Sequence, residues 1–461
     1  MANFFKENTK KKVNKQSNRT KQTDTVIIDK LDLNGCGVGQ YQKKPIFVAG
    51  SLPSEVVEVR ITEQKNKYIL AKLLKVKKTS DDRVVAQCKH FSICGGCDLQ
   101  HLDYAEQLLF KQKKIIELLS RSGISSELLA QLRWQAPIQS HQWHYRRKAR
   151  VGVQFDKNAQ AIIGFRQKAT NQLTEIKSCP ILKKPADGIF PILKSLLAKL
   201  TVKKAIGHIE IIVADSSEGS VSSLTIVVRQ IRQINGHDRK VWQAYAEKNA
   251  WCVRFIENNK ADDIDNEHAE DLAHELSYSL QDDIKVSFSH SDFIQVNQQA
   301  NLAMVEQALA WLSPESTDQV LDLFCGLGNF SLPLAKKVSK VVGVEGVQAM
   351  VNKASANAQN NKIKNCQFYQ ADLNGYWLSN DWANNNFTKV LLDPARAGAE
   401  QAVEQLTQLN IASILYVSCD PTTLARDSKL LLDKGYKIIK IGLIDMFSQT
   451  KHVETMVLFQ R

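Results

Sequence analysis

No stretch of this 461-residue sequence approaches the 18 or so uncharged apolar residues that a membrane-spanning helix needs, so a spanning protein is excluded. No apolar segment follows the charges of the opening MANFFKENTKKKVNKQSNRTK either; nothing there reads as a secretion signal, and a cytoplasmic protein is expected. Internal repeats are lacking, which excludes a repeat-built architecture. Acidic residues are scarce beside basic ones, 48 against 61, for a net charge of +13. That imbalance points to a polyanionic partner, nucleic acid first, with a merely soluble basic surface as the plain alternative. What is present is enough for sizeable cores: 43% hydrophobic and 24% charged residues exclude wholesale disorder. The length favours two or three domains. In a reducing compartment the nine cysteines are expected as thiols, metal ligands or nucleophiles rather than disulfides.

Residues 1–23 carry seven basic side chains against Glu7 alone and read as a disordered basic tail. Residues 24–79 hold short β-rich runs (TVIIDKL, PIFVAG, EVVEVRI, YILAKLLKV) separated by turn signals such as Asn34-Gly35 and Leu52-Pro53-Ser54, the pattern of a small five-stranded barrel. Barrels of this kind often bind oligonucleotides, although a spacer role is the alternative. Residues 80–287 read as a central, β-rich domain with strands such as ARVGVQF, AIIGF, HIEIIV and SLTIVV, preceded by a helical stretch at 103–131 that could pack on the next domain. From 288 to 461 strands (QVLDLF, KVVGVE, TKVLLD, SILYVS) alternate with helical segments, the signature of a doubly wound α/β domain.

In that domain a buried strand runs through Asp322-Leu323-Phe324-Cys325-Gly326-Leu327-Gly328-Asn329 into a helix. Glycines let the backbone approach a ligand at the carboxyl end of the first strand, where open α/β sheets bind cofactors. The next strand ends in Glu345, placed for a ribose diol, and the third and fourth lead to Asp372 and Asp393 at the same sheet edge. The three-glycine G-x-G-x-x-G fingerprint of NAD proteins is missing, so an adenosyl cofactor without a pyrophosphate is expected. Helix capping is the bland reading for these carboxylates.

The fifth strand leads into Ser418-Cys419-Asp420-Pro421. A free cysteine is usually a small buried hydrophobe, but one beyond a strand at the cofactor edge is placed to act as a nucleophile. A thiolate adding to the 6-carbon of a pyrimidine would push electron density to the 5-carbon, and a base must then remove the 5-proton. Glu454, just before the last strand, is the candidate base, with His452 the alternative. Elsewhere Cys88, Cys94 and Cys97 form C-x5-C-x2-C, and Cys179 is a distant fourth ligand; four thiolates suit zinc or an iron-sulfur cluster, and spacing alone does not decide. The run Trp143-His144-Tyr145-Arg146-Arg147-Lys148-Ala149-Arg150 interleaves aromatics with cations, a mixture that can stack unpaired bases and hold phosphates.

Together, DLFCGLGNF, LLDPAR, YVSCDPTTLARD, KHVETM and the FIQVN element at 293–297 resemble the RNA uracil-5-methyltransferases. The resemblance implies a class I S-adenosylmethionine methyltransferase domain, with cofactor contacts from Gln295, Phe324, Asn329, Glu345, Asp372 and Asp393, Cys419 as nucleophile and Glu454 as base. The N-terminal barrel is similar to the TRAM module that some members carry. With the four extra cysteines it points to the branch acting on 23S ribosomal RNA and decides for a [4Fe-4S] cluster; no protein partner is evident. Asp420 and His290 depart from the Asn and Pro more usual in relatives. Open rivals are the same chemistry on tRNA or another ribosomal RNA uridine, and a non-enzymatic RNA-binding assembly factor with a zinc knot.

Overall fold

A computed structural model describes residues 23–215, 223–257, 276–409 and 411–461; all but the last residue of the expected basic tail therefore lies outside the described residues. The chain divides into two compact units, Met1–Arg83 and Val84–Arg461.

In the first unit, strands β1 (Thr23–Leu31), β2 (Gly37–Tyr41), β3 (Lys44–Ala49), β4 (Val56–Gln64) and β5 (Ile69–Lys78) close a barrel in the order β1-β2-β3-β5-β4. Alternate residues point inward, so Val26, Ile28, Ile46, Val48, Val57, Val59, Ile69 and Ala71 make one core. Gly39 is required where strands cross closely: a Cβ there would lie 2.0 Å from the Ile27 carbonyl oxygen. Glu55 is fully buried and accepts hydrogen bonds from the Leu52 amide and from Arg83, each at 2.8 Å. Burial alone would raise its carboxyl, but these bonds outweigh it and leave the group below its ordinary value.

The second unit opens with α1 (Tyr104–Arg121), capped by Asp103, whose carboxylate accepts from the Ala105 amide, and α2 (Ser126–Ala130). A five-stranded sheet follows, built from β6 (Lys148–Phe155), β7 (Ala161–Gly164), β8 (Ile206–Ala214), β9 (Ser223–Gln230) and β10 (Trp251–Glu257) in the order β10-β9-β8-β6-β7. Helices α3 (Phe190–Lys199) and α4 (Gly236–Asn249), which the strand-rich sequence pattern did not announce, pack on one face of it. The sequence hid α4 because only Asp238, Trp242 and Ala246 are buried along its length, too sparse a stripe to stand out. A hairpin of β11 (Leu276–Ser279) and β12 (Lys285–Phe288) leads out of the central region.

The rest alternates α5 (Gln298–Leu312), β13 (Gln319–Leu323), α6 (Ser331–Ala335), β14 (Lys340–Glu345), α7 (Gln348–Asn360), β15 (Cys366–Gln370), β16 (Lys389–Leu392), α8 (Glu400–Leu406), β17 (Ser413–Ser418), α9 (Pro421–Asp433), β18 (Lys437–Ile444) and β19 (Glu454–Gln460). Their seven strands form one sheet in the order β15-β14-β13-β16-β17-β19-β18, with β19 antiparallel to both neighbours. The order reverses beside β13, which opens a crevice at the carboxyl ends of the parallel strands. One face of this sheet (Val320, Val341, Leu391, Leu415, Leu458) shares a continuous core with α5, the β11–β12 hairpin and Ile212 and Val227 of the central sheet. The expected boundary at 287/288 falls inside that core, within a single compact unit. Helix α1 packs against α9 and β18. Among the described residues no helix is long and apolar enough to cross a membrane.

Candidate active site

The strand-end residues singled out by the sequence all end or follow strands of the one seven-stranded sheet. After β13 the chain turns through Phe324, Gly326 and Gly328, all at positive φ (64°, 55° and 91°), a strained path for Phe324 that glycines ease at the other two positions. Glu345 at the end of β14 accepts from the Gly326 amide (3.2 Å) and the Val347 amide (3.2 Å), which ties the first two strand ends together. Asn329 exchanges amide hydrogen bonds with Asn301 of α5 (2.9 and 3.0 Å) and accepts from the Tyr278 hydroxyl (3.0 Å). Gln295 is buried, and its Oε1 has no hydrogen-bond partner, an acceptor left for a ligand. Its backbone oxygen accepts from Nε of buried Arg147 at 2.8 Å. Asp372 differs from the others: it lies two residues past β15, is exposed, and accepts from the Asn374 amide at 3.0 Å, so it also closes its own turn.

The reacting end is fixed by strand register. Ser418 of β17 pairs with Thr455 of antiparallel β19. The next residue of β17's chain, Cys419, therefore lies across from the residue preceding Thr455, which is Glu454. Cys419 also directly precedes α9, whose cap Asp420 accepts from the Thr422 amide at 2.8 Å. Glu454 is 3% exposed and its Oε2 has no partner. Burial, then the charge of Asp393, pushes its carboxyl up to about 8. Burial likewise lifts Asp393 to about 7. Burial first, then Glu454 and Asp393, push the Cys419 thiol up to about 11, opposed by Arg396. His452, the rival base, is exposed, and its ring packs edge-on against Phe447.

Two residues that the sequence reading left without a role belong here. Asp322, fully buried inside β13, accepts from the Ser331 hydroxyl, and burial lifts its carboxyl to about 7. A carboxylate inside a buried strand was visible in DLFCG, but periodicity gives no role to it. The charge of Arg396 favours the Cys419 thiolate, and the fold brings it there.

The metal candidates gather elsewhere in the second unit. Cys94, Cys97 and Cys179 are buried in the core beneath β6 and α3, and Cys88 is half-buried. Burial first, and charge on the neighbouring cysteines with it, push Cys97 and Cys179 up to about 12. Gly95 donates to the Arg166 carbonyl at 2.9 Å, and a Cβ there would sit 3.0 Å from that oxygen, so glycine suits the tight loop. Among the described residues, no three His, Cys, Asp or Glu side chains are grouped so as to hold a metal ion.

The sequence pattern of the tRNA (Uracil-5-)-methyltransferase family matches residues 104–461, and that of the TRAM domain matches residues 19–74. The chain belongs to the uracil-5-methyltransferase family. It is an S-adenosylmethionine-dependent enzyme of RNA, with the TRAM barrel as its first unit. It is 58% identical to the 23S rRNA (uracil(1939)-C(5))-methyltransferase RlmD of Colwellia psychrerythraea, over all of this chain and 99% of that one. It is 45% identical to the protein of the same name from Psychromonas ingrahamii, over 94% of this chain and 95% of that one. The fold is that of the Pyrococcus abyssi tRNA (uracil-54, C5)-methyltransferase, solved with S-adenosyl-L-homocysteine: TM-score 0.71 at 23% identity, covering 95% of this chain and all of that one.

Proposed function

We propose that this chain methylates the 5-carbon of one uridine in 23S ribosomal RNA, in the cytoplasm, with Cys419 as nucleophile and Glu454 as base. The register that sets Cys419 against Glu454 at the cofactor crevice is the observation that carries this reading. Full-length likeness to two 23S rRNA enzymes supports the choice of RNA. Gln295, Phe324, Asn329, Glu345, Asp372 and Asp393 would hold the cofactor; the unpartnered Gln295 oxygen and the carboxylates at the strand ends suit an adenosyl group with a ribose diol. When bound, S-adenosylmethionine supplies an electrophilic methyl group.

The chain's own residues do the rest. Cys419 acts as the thiolate, its proton released to solvent; its sulfur bonds to C6 of the uracil, which shifts the C5–C6 electron pair towards C5 and lets that carbon take the methyl group. Glu454, as carboxylate, removes the proton from C5. The pair left behind reforms the C5–C6 double bond and expels the Cys419 thiolate. A base with a value near 8 is matched to this work at neutral pH, because it ionises readily yet still holds the proton it takes. The uridine must leave its stack to reach Cys419.

Cys88, Cys94, Cys97 and Cys179 would hold a [4Fe-4S] cluster. Cys88, Cys94 and Cys179 are near enough to Cys97 for their charges to act on it, and four neighbouring thiolates are the ligand set that such a cluster takes. Anaerobically purified protein is expected to contain about four irons and four sulfides; stoichiometric zinc without acid-labile sulfide overturns this assignment. For the activity, ribosomal RNA from cells with and without the gene is digested and its nucleosides compared. Loss of one 5-methyluridine from 23S RNA is expected, and loss from tRNA instead overturns the choice of substrate.

A further inference from the structure

Arg147 stands just ahead of β6 and is 1% exposed, so its guanidinium is cut off from water. Its backbone is fixed from two sides: the amide donates to the Val296 carbonyl and the carbonyl accepts from the Val213 amide, each at 2.8 Å. Its Nε donates to the Gln295 carbonyl, also at 2.8 Å. The guanidinium lies over the Tyr278 ring, 4.5 Å from its centre, and the Tyr278 hydroxyl donates to Asn329 at 3.0 Å. Arg147 thus touches Gln295 directly and reaches Asn329 through one ring, and both residues are proposed to hold the cofactor.

Nη1 and Nη2 of Arg147 are shielded from solvent and have no hydrogen-bond partner. Every N–H of the guanidinium except that on Nε is therefore unused. Burial draws its value below the ordinary one, and the charges of Tyr278 and Asp215 oppose that fall. A guanidinium stays charged all the same. Asp215 acts on it by charge alone, because its carboxylate is taken up by the Ser279 amide (2.9 Å), the Gln298 amide group (2.9 Å) and Lys183 (4.0 Å). A cation buried without an anion is a heavy cost to a fold, and an anion that reaches it is bound correspondingly well.

S-adenosylmethionine brings one anion, the carboxylate of its amino-acid end. The Gln295 oxygen and the strand-end carboxylates are acceptors and cannot hold that group. A planar guanidinium with both terminal nitrogens unused matches it, one nitrogen to each oxygen. We propose that Arg147 binds the carboxylate of S-adenosylmethionine through Nη1 and Nη2. This contact rests on the chain's use of that cofactor and adds Arg147 to the residues proposed to hold it. It also gives the segment ahead of the central sheet a part in the cofactor site of the α/β sheet.

The test measures binding of S-adenosylmethionine and of its decarboxylated analogue to the full-length protein by calorimetry, without RNA. Wild-type protein is expected to bind S-adenosylmethionine roughly a hundredfold more tightly than the analogue, the size of a truncated buried charge pair. In Arg147→Met that ratio should fall to about one, because the carboxylate and the guanidinium lose the same contact. Arg147→Lys keeps the charge without the fork and should give an intermediate ratio, which also decides the matter if Arg147→Met does not fold. If either variant weakens both ligands by one factor and keeps the wild-type ratio, the contact is overturned and Arg147 is a support for Gln295. Wild-type protein that binds both ligands alike overturns it too, while the methyltransferase reading stands. Wild-type protein that binds neither would remove that reading and the contact with it.

Discussion

At the scale of single residues, the proposed chemistry turns on the order in which Cys419 and Glu454 act. Cys419→Ala is expected to abolish turnover while cofactor and RNA still bind, because no C6 adduct can form. Glu454→Gln is expected to stall after methyl transfer, leaving RNA bonded to Cys419 as a slow band in denaturing electrophoresis that carries the cofactor's methyl label. Near-normal turnover of Glu454→Gln with no band would make Glu454 a bystander and return His452 to consideration. The same residue sets a pH effect on stability. Its carboxyl ionises at about 8 in the folded protein, well above the ordinary 4.5. The folded state therefore holds a proton that the unfolded state gives up, so wild-type stability falls as pH rises from about 4.5 to about 8 and levels off above. Glutamine cannot ionise, and the Tm advantage of Glu454→Gln over wild type should grow across that window and be near zero at about pH 4. A difference in Tm that does not change with pH would show that the carboxyl is not held protonated.

At the scale of elements, the segment between β18 and β19 is where the rest of the second unit takes hold of the base. Asp445 forms a fully buried pair with Lys111 of α1 at 2.5 Å and accepts from the Tyr104 and Ser448 hydroxyls at 2.9 and 2.6 Å. Gln449 adopts a left-handed φ of 68°, and its carbonyl oxygen accepts from the amides of both Asp98 and Leu99, directly after Cys97. Tyr145 donates to the Ser448 carbonyl at 2.9 Å, and Asn297 to that of Met446 at 3.3 Å. The cysteine loop, α1, Tyr145 and Asn297 thus all set the path into Glu454. Lys111→Met leaves a buried carboxylate without its cation and should cost about 3–5 kcal/mol of stability. It should also accumulate the methylated Cys419 adduct, since a displaced Glu454 slows only proton removal; adding Asp445→Asn should restore much of the stability. Loss of stability with no adduct would reduce the pair to a purely structural part.

At the scale of the molecule, the first unit has its own closed core, and the residues proposed to hold the cofactor belong to the second. Removing residues 1–83 is expected to weaken RNA binding and flatten its dependence on salt, with cofactor affinity nearly unchanged. Unchanged RNA affinity would deny the barrel a part in binding.

Much of this plan was legible in the chain. The barrel could be read because strand alternation and turn residues act locally: Val26 and Ile28, or Val57 and Val59, declare an inner face without knowledge of any partner strand. Strand ends such as Glu345 and Asp393 could be read because a carboxylate after a continuous apolar run marks the edge of a parallel sheet. The sequence by itself thus determined the types of element, the chemical kinds of group at the sheet edge, and the thiols available to a metal. Only the tertiary structure decided that Cys419 faces Glu454, because that follows from the register of β17 against β19, strands separated by α9 and β18. It alone decided the raised values of Glu454, Asp393 and Asp322, since each comes from burial by residues distant in the chain. It joined the central sheet and the α/β sheet in one core, because that arises from packing between segments whose own patterns carry no record of their neighbours.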